Sequence, residues 1–365
     1  MAASDILETN GAPAAAPAAT PRRLLLVSVP RTASNLLLKI WNIPNQPNLL
    51  TSPKGGYFFY PAFIEATQYG DFLNKPGDQW TDEQQIKVKN SCQKCVDALE
   101  EYSARAKENN QVMFTKEHAY WMYSPAALQK SITGHHDQEF FKAFRVDVPE
   151  TYGTARTYSP SNETIFSDEY LRSWQMVFII RHPALAWPSM YRAMQKMADS
   201  GIIDEDGVVG SSTTHMTMHW SRMLYDWSLE QPDVPVAPPV IDAHDLIHNP
   251  EVVLKLCELT GLDKSAVQFE WAGNSEKKSQ HWACHDPDAS IEEVKMHQHA
   301  ARVMLSTLES SSGIVKDKAP EIIDIAAEAA KWRDEFGEEA GVLIEESVRD
   351  SMPDYEYLRA RRITF

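Results

Sequence analysis

Residues 24–41, LLLVSVPRTASNLLLKIW, hold an unbroken run of apolar and small residues, a short polar turn, and then apolar residues at helical spacing. A run without polar alternation reads as a strand buried on both faces, and such strands belong to parallel sheets covered by helices. The turn Pro30-Arg31-Thr32-Ala33-Ser34-Asn35 therefore sits at the carboxyl end of a strand and opens a helix. Free amides and the helix dipole make that place a seat for an anion. It holds no glycine and no Gly-Lys-Ser/Thr, so it is not the usual triphosphate loop.

Short apolar runs recur. RRLLLVSV, QVMFTKEH (111–118), WQMVFIIRHP (174–183) and PPVIDAHDL (238–246) are strand candidates, the third stopped by Pro183. Helical patterns follow at 34–41, 81–108, 189–198, 212–230, 249–262 and over most of 289–348. In the helix over 249–262, Asn249 is the N-cap, Pro250 takes the first helical position and Gly261 ends it. Residues 42–59, rich in Pro, Asn and Gly, read as loop, and 131–172 as an insertion. Strands alternating with helices predict an α/β fold, a central parallel sheet flanked by helices. The expected organisation is a disordered Ala/Pro leader over 1–21, then one α/β domain over 22–365 with a helical part over 289–365.

The net charge of −16 repels nucleic acid, polyanions and anionic lipid, so an anionic ligand needs a local basic site. No apolar run reaches membrane-spanning length, and the N-terminus does not read as a signal or transit peptide. Four cysteines give no disulfide framework, which points to a reducing compartment and a cytoplasmic location. Cys92 and Cys95, with the ligand types in HWACH (281–285), raise a structural zinc site. The pairs lie far apart in sequence, and reduced, half-buried cysteines are the preferred reading.

Ligands of such folds sit at the carboxyl ends of strands. After the first strand candidate stand Arg31, Thr32, Ser34 and Asn35, which read either as an anion loop or as a plain Ser/Thr helix cap. In TKEH, Lys116 and His118 are two apart and share a strand face. They read as a charge stabiliser and a general base, or as strand-end residues without a role. After the third strand come Arg181 and, eight positions on, Ser189. With Pro188 at the first position of a helix, Ser189 falls in its first turn, where it and Arg181 can share a phosphate. The alternative is a snorkelling arginine beside a surface serine.

Pro-Arg-Thr-x-Ser-Asn, then Lys-x-His, then Arg-x-Pro with Ser-x-Tyr beyond it: this order resembles the sulfotransferase family, over about residues 23–265. The tail PDYEYLRARRI is similar to that of more distant microbial members. The resemblance implies a P-loop-like fold and 3′-phosphoadenosine 5′-phosphosulfate (PAPS) as donor. Arg31, Thr32, Ala33, Ser34 and Asn35 would hold the phosphosulfate, and Arg181 and Ser189 the 3′-phosphate. His118 would be the base, with Glu117 as runner-up, and Lys116 and Arg31 would stabilise charge, with no metal. The implied acceptor is a small molecule bearing a hydroxyl or amine, a phenol or alcohol suiting the acidic chain. A homodimer stays open. Met-, Trp- and Tyr-rich stretches around 189–201 and 214–227, and the aromatic loop 52–63, are acceptor-side candidates or ordinary packing.

This sequence departs from the family pattern in places. The loop glycine is Ala33, which fits only at negative φ. Leu36 and Ala243 stand where aromatics are often found, and no Arg-Lys-Gly element follows 265, which leaves the adenine contacts and a third phosphate clamp unassigned. A P-loop kinase-like enzyme and a nucleotide-binding protein without catalysis are the competing readings. Arg359, Arg361 and Arg362 are read as stitching the C-terminus to the acidic body rather than reaching phosphate.

Overall fold

The computed structural model describes residues 22–52, 55–67, 77–232, 236–271, 291–309 and 311–364. The leader 1–21 and the HWACH segment lie outside the described residues. Five parallel strands form one sheet in the order β2-β3-β1-β4-β5. They are β1 (Arg23–Ser28), β2 (Leu49–Thr51), β3 (Val112–His118), β4 (Gln175–Ile180) and β5 (Val240–Asp242). The expected α/β class with a central parallel sheet is what is found. The short edge strand β2 falls in the stretch read as loop. Its three half-buried residues pair only with β3 and lack the apolar run that marks the inner strands.

Every residue of β1 is buried, and alternation sends its side chains into two cores. Leu25 and Val27 pack with Met113 and Phe178 on one face. Leu24 and Leu26 pack on the other with Leu37, Ile40 and Trp41 of helix α1 (Ser34–Trp41). Burying each such side chain contributes about 1.5–3 kcal/mol, which fixes the strand at the centre of the molecule. At its amino end Arg23 is held by Ser173 and Tyr170, pairs with Glu100 at 2.5 Å and stacks over Trp174 at 3.8 Å.

Helices cover both faces. After α1 come α2 (Tyr60–Thr67), α3 (Asp82–Glu108), α4 (Pro125–Thr133), α5 (Gln138–Ala143) and α6 (Asp168–Arg172). Helices α7 (Pro183–Asp199), α8 (Glu205–His215) and α9 (His219–Leu229) follow β4. Beyond β5 lie α10 (Ala243–His248), α11 (Pro250–Thr260), α12 (Ile291–Glu309), α13 (Ile325–Phe336) and α14 (Glu338–Arg359). Two expectations are corrected. Pro183 opens α7 at its first position, with the His182 ring accepting from the Ala184 amide at 3.2 Å as cap. Pro188 is thus inside the helix, and Ser189 is one turn deeper than the sequence suggests. The stretch 212–230 is two helices, α8 and α9, broken around Met216–Met218.

The C-terminal helices return to the sheet. The Tyr355 hydroxyl donates to Asp242 at 2.7 Å, and Arg362 donates to Asp245 at 2.7 Å. Among the described residues no helix is long and apolar enough to cross a membrane. Cys92 and Cys95 are buried on α3, and burial pushes the Cys92 thiol up to about 12.

The strand order reverses beside β1. The connection leaving β1 runs to β2 on one side, and the one leaving β4 runs to β5 on the other. Adjacent strands whose connections diverge leave a crevice at their carboxyl ends. Here that crevice lies between the turn after β1 and the start of α7.

Candidate active site

A cleft of about 690 Å³ occupies that crevice. Arg31, Ala33, Ser34 and Asn35 line it from the first turn, and Arg181 and Ser189 from the segment after β4. Residues 158 positions apart meet directly: Arg31 Nε donates to Ser189 Oγ at 2.9 Å. Arg181 Nη1 donates to the Arg31 carbonyl at 3.0 Å and its Nη2 to the Lys318 carbonyl at 2.9 Å.

The turn itself departs from expectation. Arg31 and Ala33 both lie in the left-handed region, at φ 67° and 66°, and Thr32 between them does not. Ala33 was expected to keep a negative φ. The sharp turn from β1 into α1 requires the opposite, and it is alanine that bears the strain. Alternating conformations of this kind turn successive amides toward one point and form an anion-binding concavity. Ala33 is also the N-cap of α1 and provides no side-chain cap. The reading of this turn as a plain Ser/Thr cap therefore fails, and the first amides of α1 remain for a ligand. The Thr32 hydroxyl is turned inward, donating to the Val29 carbonyl at 2.7 Å.

The two guanidiniums crowd one another. Burial pushes Arg181 down to about 10, with Arg31 adding to the shift and Asp242 opposing it. Arg31 is lowered by burial and then by Arg192. Arg181 Nε is buried with no hydrogen-bond partner among the described residues. Half-buried arginines whose acceptors are carbonyls and a hydroxyl fit a multiply charged anion, which would supply the missing acceptor.

Behind the turn, β3 carries the other predicted residues. Its register sets Lys116 opposite Leu26 and His118 opposite Ser28. Lys116 Nζ donates to Asn35 Oδ1, which joins β3 to the turn. Burial draws Lys116 down to about 7, against the pull of Glu117. Ser28 Oγ spends its proton on the Glu117 carbonyl at 3.1 Å, so it accepts from His118 Nδ1 at 3.0 Å. Nε2 is then the lone-pair nitrogen. Burial, Lys116 and His215 all hold the ring well below its ordinary pKa, so it is neutral. Neither Lys116 nor His118 lines the cleft. Asn35, which lines the cleft, holds Lys116, and the Tyr57 hydroxyl lies 3.0 Å from His118 Nε2.

Glu117 points to the opposite face. Its Oε1 accepts from the Phe58 amide at 2.6 Å and the Phe59 amide at 3.4 Å, so it anchors the loop before α2. Burial pushes its carboxyl up to about 8.

Sequence reasoning did not single out Tyr57, Arg192, Lys196 or Lys318. Ser189, Arg192 and Lys196 share one face of α7, and the three- and seven-residue spacings from Ser189 were the available signal. Arg192 is paired with Glu335 at 2.6 Å. Lys196, Lys318 and Met304 line the cleft, and the Met304 carbonyl accepts from Arg31. Nothing local marks Lys318 or Met304, because the chain reaches the cleft from far along the sequence.

No family model matches the chain. It is 35% identical to sulfotransferase ppzF of Metarhizium rileyi (strain RCEF 4871) over 361 residues, 94% of this chain and 96% of that one. It is 34% identical to sulfotransferase ppzF of Metarhizium majus (strain ARSEF 297), over 94% of this chain and 97% of that one. The solved sulfotransferase domain of the Synechococcus PCC 7002 olefin synthase aligns with 90% of this chain and 95% of that one, at TM-score 0.38 and 12% identity. Identity of 34–35% along almost the whole of both chains, in proteins of that name, places the parallel sheet and its arginine-lined crevice in a known context: the chain belongs to the sulfotransferase family.

Proposed function

We propose that this protein transfers a sulfuryl group from PAPS to a hydroxyl of a small-molecule acceptor, with His118 as general base. The observation that carries the reading is the arrangement at the strand ends. A neutral histidine whose Nε2 lone pair accepts from the Tyr57 hydroxyl lies behind a strained turn and two arginines at the switch point.

PAPS, when bound, supplies an activated sulfuryl group on a phosphate leaving group. Arg31, Arg181 and Ser189 would hold its phosphates, and the amides of 33–35 with Ser34 and Asn35 would hold the phosphosulfate. In the transfer the acceptor O–H bond breaks and its proton passes to His118 Nε2. The acceptor oxygen forms the new bond to sulfur, and the sulfur–oxygen bond to the 5′-phosphate breaks. Lys116, held at Asn35 behind the cleft, and the turn amides would stabilise the charge that develops on the departing oxygen. A neutral base and buried cations aimed at developing charge are what such a displacement requires of the protein.

Calorimetric titration tests the donor site. Adenosine 3′,5′-bisphosphate is expected to bind, with ATP and AMP much weaker. Binding of ATP in preference, or of none of the three, overturns the reading.

A further inference from the structure

Resting on that reading, we propose that Tyr57 is a resident stand-in for the acceptor, and that the acceptor it gives way to is an aryl hydroxyl. The Tyr57 phenol oxygen lies 3.0 Å from His118 Nε2. Since Nδ1–H is committed to Ser28, the phenol is the donor and its proton points at the lone pair. That is the approach an acceptor hydroxyl must make to lose its proton to His118. Ser34, first residue of α1 in the donor turn, hydrogen-bonds the same phenol. One phenol oxygen thus bridges base and donor turn, where the nucleophile has to stand.

The surroundings are built for a ring. Lys116 Nζ lies 4.2 Å from the Tyr57 ring centroid. The Trp121 ring is 4.9 Å away, tilted by 59°, and the His118 ring 5.2 Å away. An ammonium over an aromatic face and tilted ring pairs are attractive, and an aliphatic alcohol would forfeit both. The backbone is held on both sides of Tyr57. Before it, the Gly56 carbonyl accepts from the Lys116 amide at 3.0 Å and from the Thr115 hydroxyl at 2.9 Å. Beyond it, the Phe58 amide donates to Glu117 at 2.6 Å. Displacement therefore concerns the Tyr57 side chain, which turns away while its backbone stays in place.

The test uses the excised side chain itself. Tyr57→Ala keeps the Cβ and removes a group with the outline of phenol. Wild type, Tyr57→Ala, Tyr57→Leu and Tyr57→Phe are incubated with PAPS and either phenol or cyclohexanol. Sulfate esters are read by mass spectrometry, and adenosine 3′,5′-bisphosphate binding is measured on each protein. Tyr57→Ala is expected to form phenyl sulfate at least about tenfold faster than wild type, and the cyclohexyl ester at under about a tenth of that rate. Tyr57→Phe, whose ring still fills the place, is expected to show no gain. If phenol is sulfated no faster by Tyr57→Ala while nucleotide binding is intact, the stand-in is wrong. Equal use of the cyclohexanol overturns the aryl assignment. Loss of nucleotide binding in wild type overturns the donor reading instead. Should Tyr57→Ala alone lose it, Tyr57→Leu decides by the same comparison with phenol as acceptor.

Discussion

Arg31 donates to Ser189 at 2.9 Å, so the turn after the first strand and the helix after the fourth are one surface. Arg181 fastens the same turn from below through the Arg31 carbonyl. An anion placed here replaces carbonyl and hydroxyl acceptors with its own charge. Charge-assisted hydrogen bonds are worth about 1.5–3 kcal/mol, so Arg31→Ala and Arg181→Ala should each weaken adenosine 3′,5′-bisphosphate roughly 10–100-fold by calorimetry. Ser189→Ala, which removes one neutral partner, should cost under about tenfold. Unchanged affinity in both arginine variants would place the nucleotide elsewhere.

The strain at Ala33 has a direct consequence. An L-residue at φ 66° is disfavoured by about 1–2 kcal/mol, and glycine there gives back part of that as unfolded-chain entropy. Ala33→Gly should therefore raise stability by about 0.5–1 kcal/mol in urea denaturation. Ala33→Val, branched at Cβ, should lower it. A destabilised glycine variant would mean that the turn is held by forces other than its backbone preference.

The strand ends were legible because their chemistry is local. Six consecutive buried residues lead into Arg31, and two-residue alternation sets Lys116 and His118 on one side of β3. What was illegible depends on distance in the chain. Tyr57 is one aromatic among several in YFFYPAF, and the Gly56 carbonyl, accepting from the Lys116 amide at 3.0 Å and the Thr115 hydroxyl at 2.9 Å, brings it to His118. Lys318 reaches the cleft across 137 positions through its carbonyl on Arg181. The start of α7 was misplaced because Pro183 and Pro188 are equally good first residues. The His182 ring cap decides between them, and capping by a histidine carries little weight in sequence patterns.

The His118 tautomer yields the next prediction. Removal of the base in His118→Ala should lower turnover about 10²–10⁴-fold while bisphosphate binding persists. Ser28 positions the ring, so Ser28→Ala should lower kcat more than it raises KM, and Ser28→Thr, which keeps the hydroxyl, should recover most of the loss. With the ring held well below its ordinary pKa of 6.5, the base stays unprotonated as pH falls through 7 toward 6. The acid limb of kcat/KM should thus lie below pH 6.5. An acid limb centred near 7 would show that another group limits proton removal.

Glu117 provides a prediction about stability rather than chemistry. Its carboxyl is buried beneath the loop that carries Tyr57, and its pKa is raised to about 8 from an ordinary 4.5. Between those values the folded chain holds a proton that the unfolded chain has released. The proton is therefore lost from the unfolded state first, and stability falls as pH rises through that window, at most about 1.4 kcal/mol per unit. Glutamine keeps an oxygen for the Phe58 amide and cannot ionise. Glu117→Gln should match wild type near pH 5 and become the more stable of the two near pH 8, in urea denaturation at each pH. Lys116, lowered to about 7, acts in the opposite sense above neutrality, where the unfolded lysine holds the extra proton. It is present in both proteins and largely cancels in the difference. A difference between the two that does not grow with pH would mean that the carboxyl ionises in the fold at an ordinary value, and that water reaches Glu117 beneath the loop.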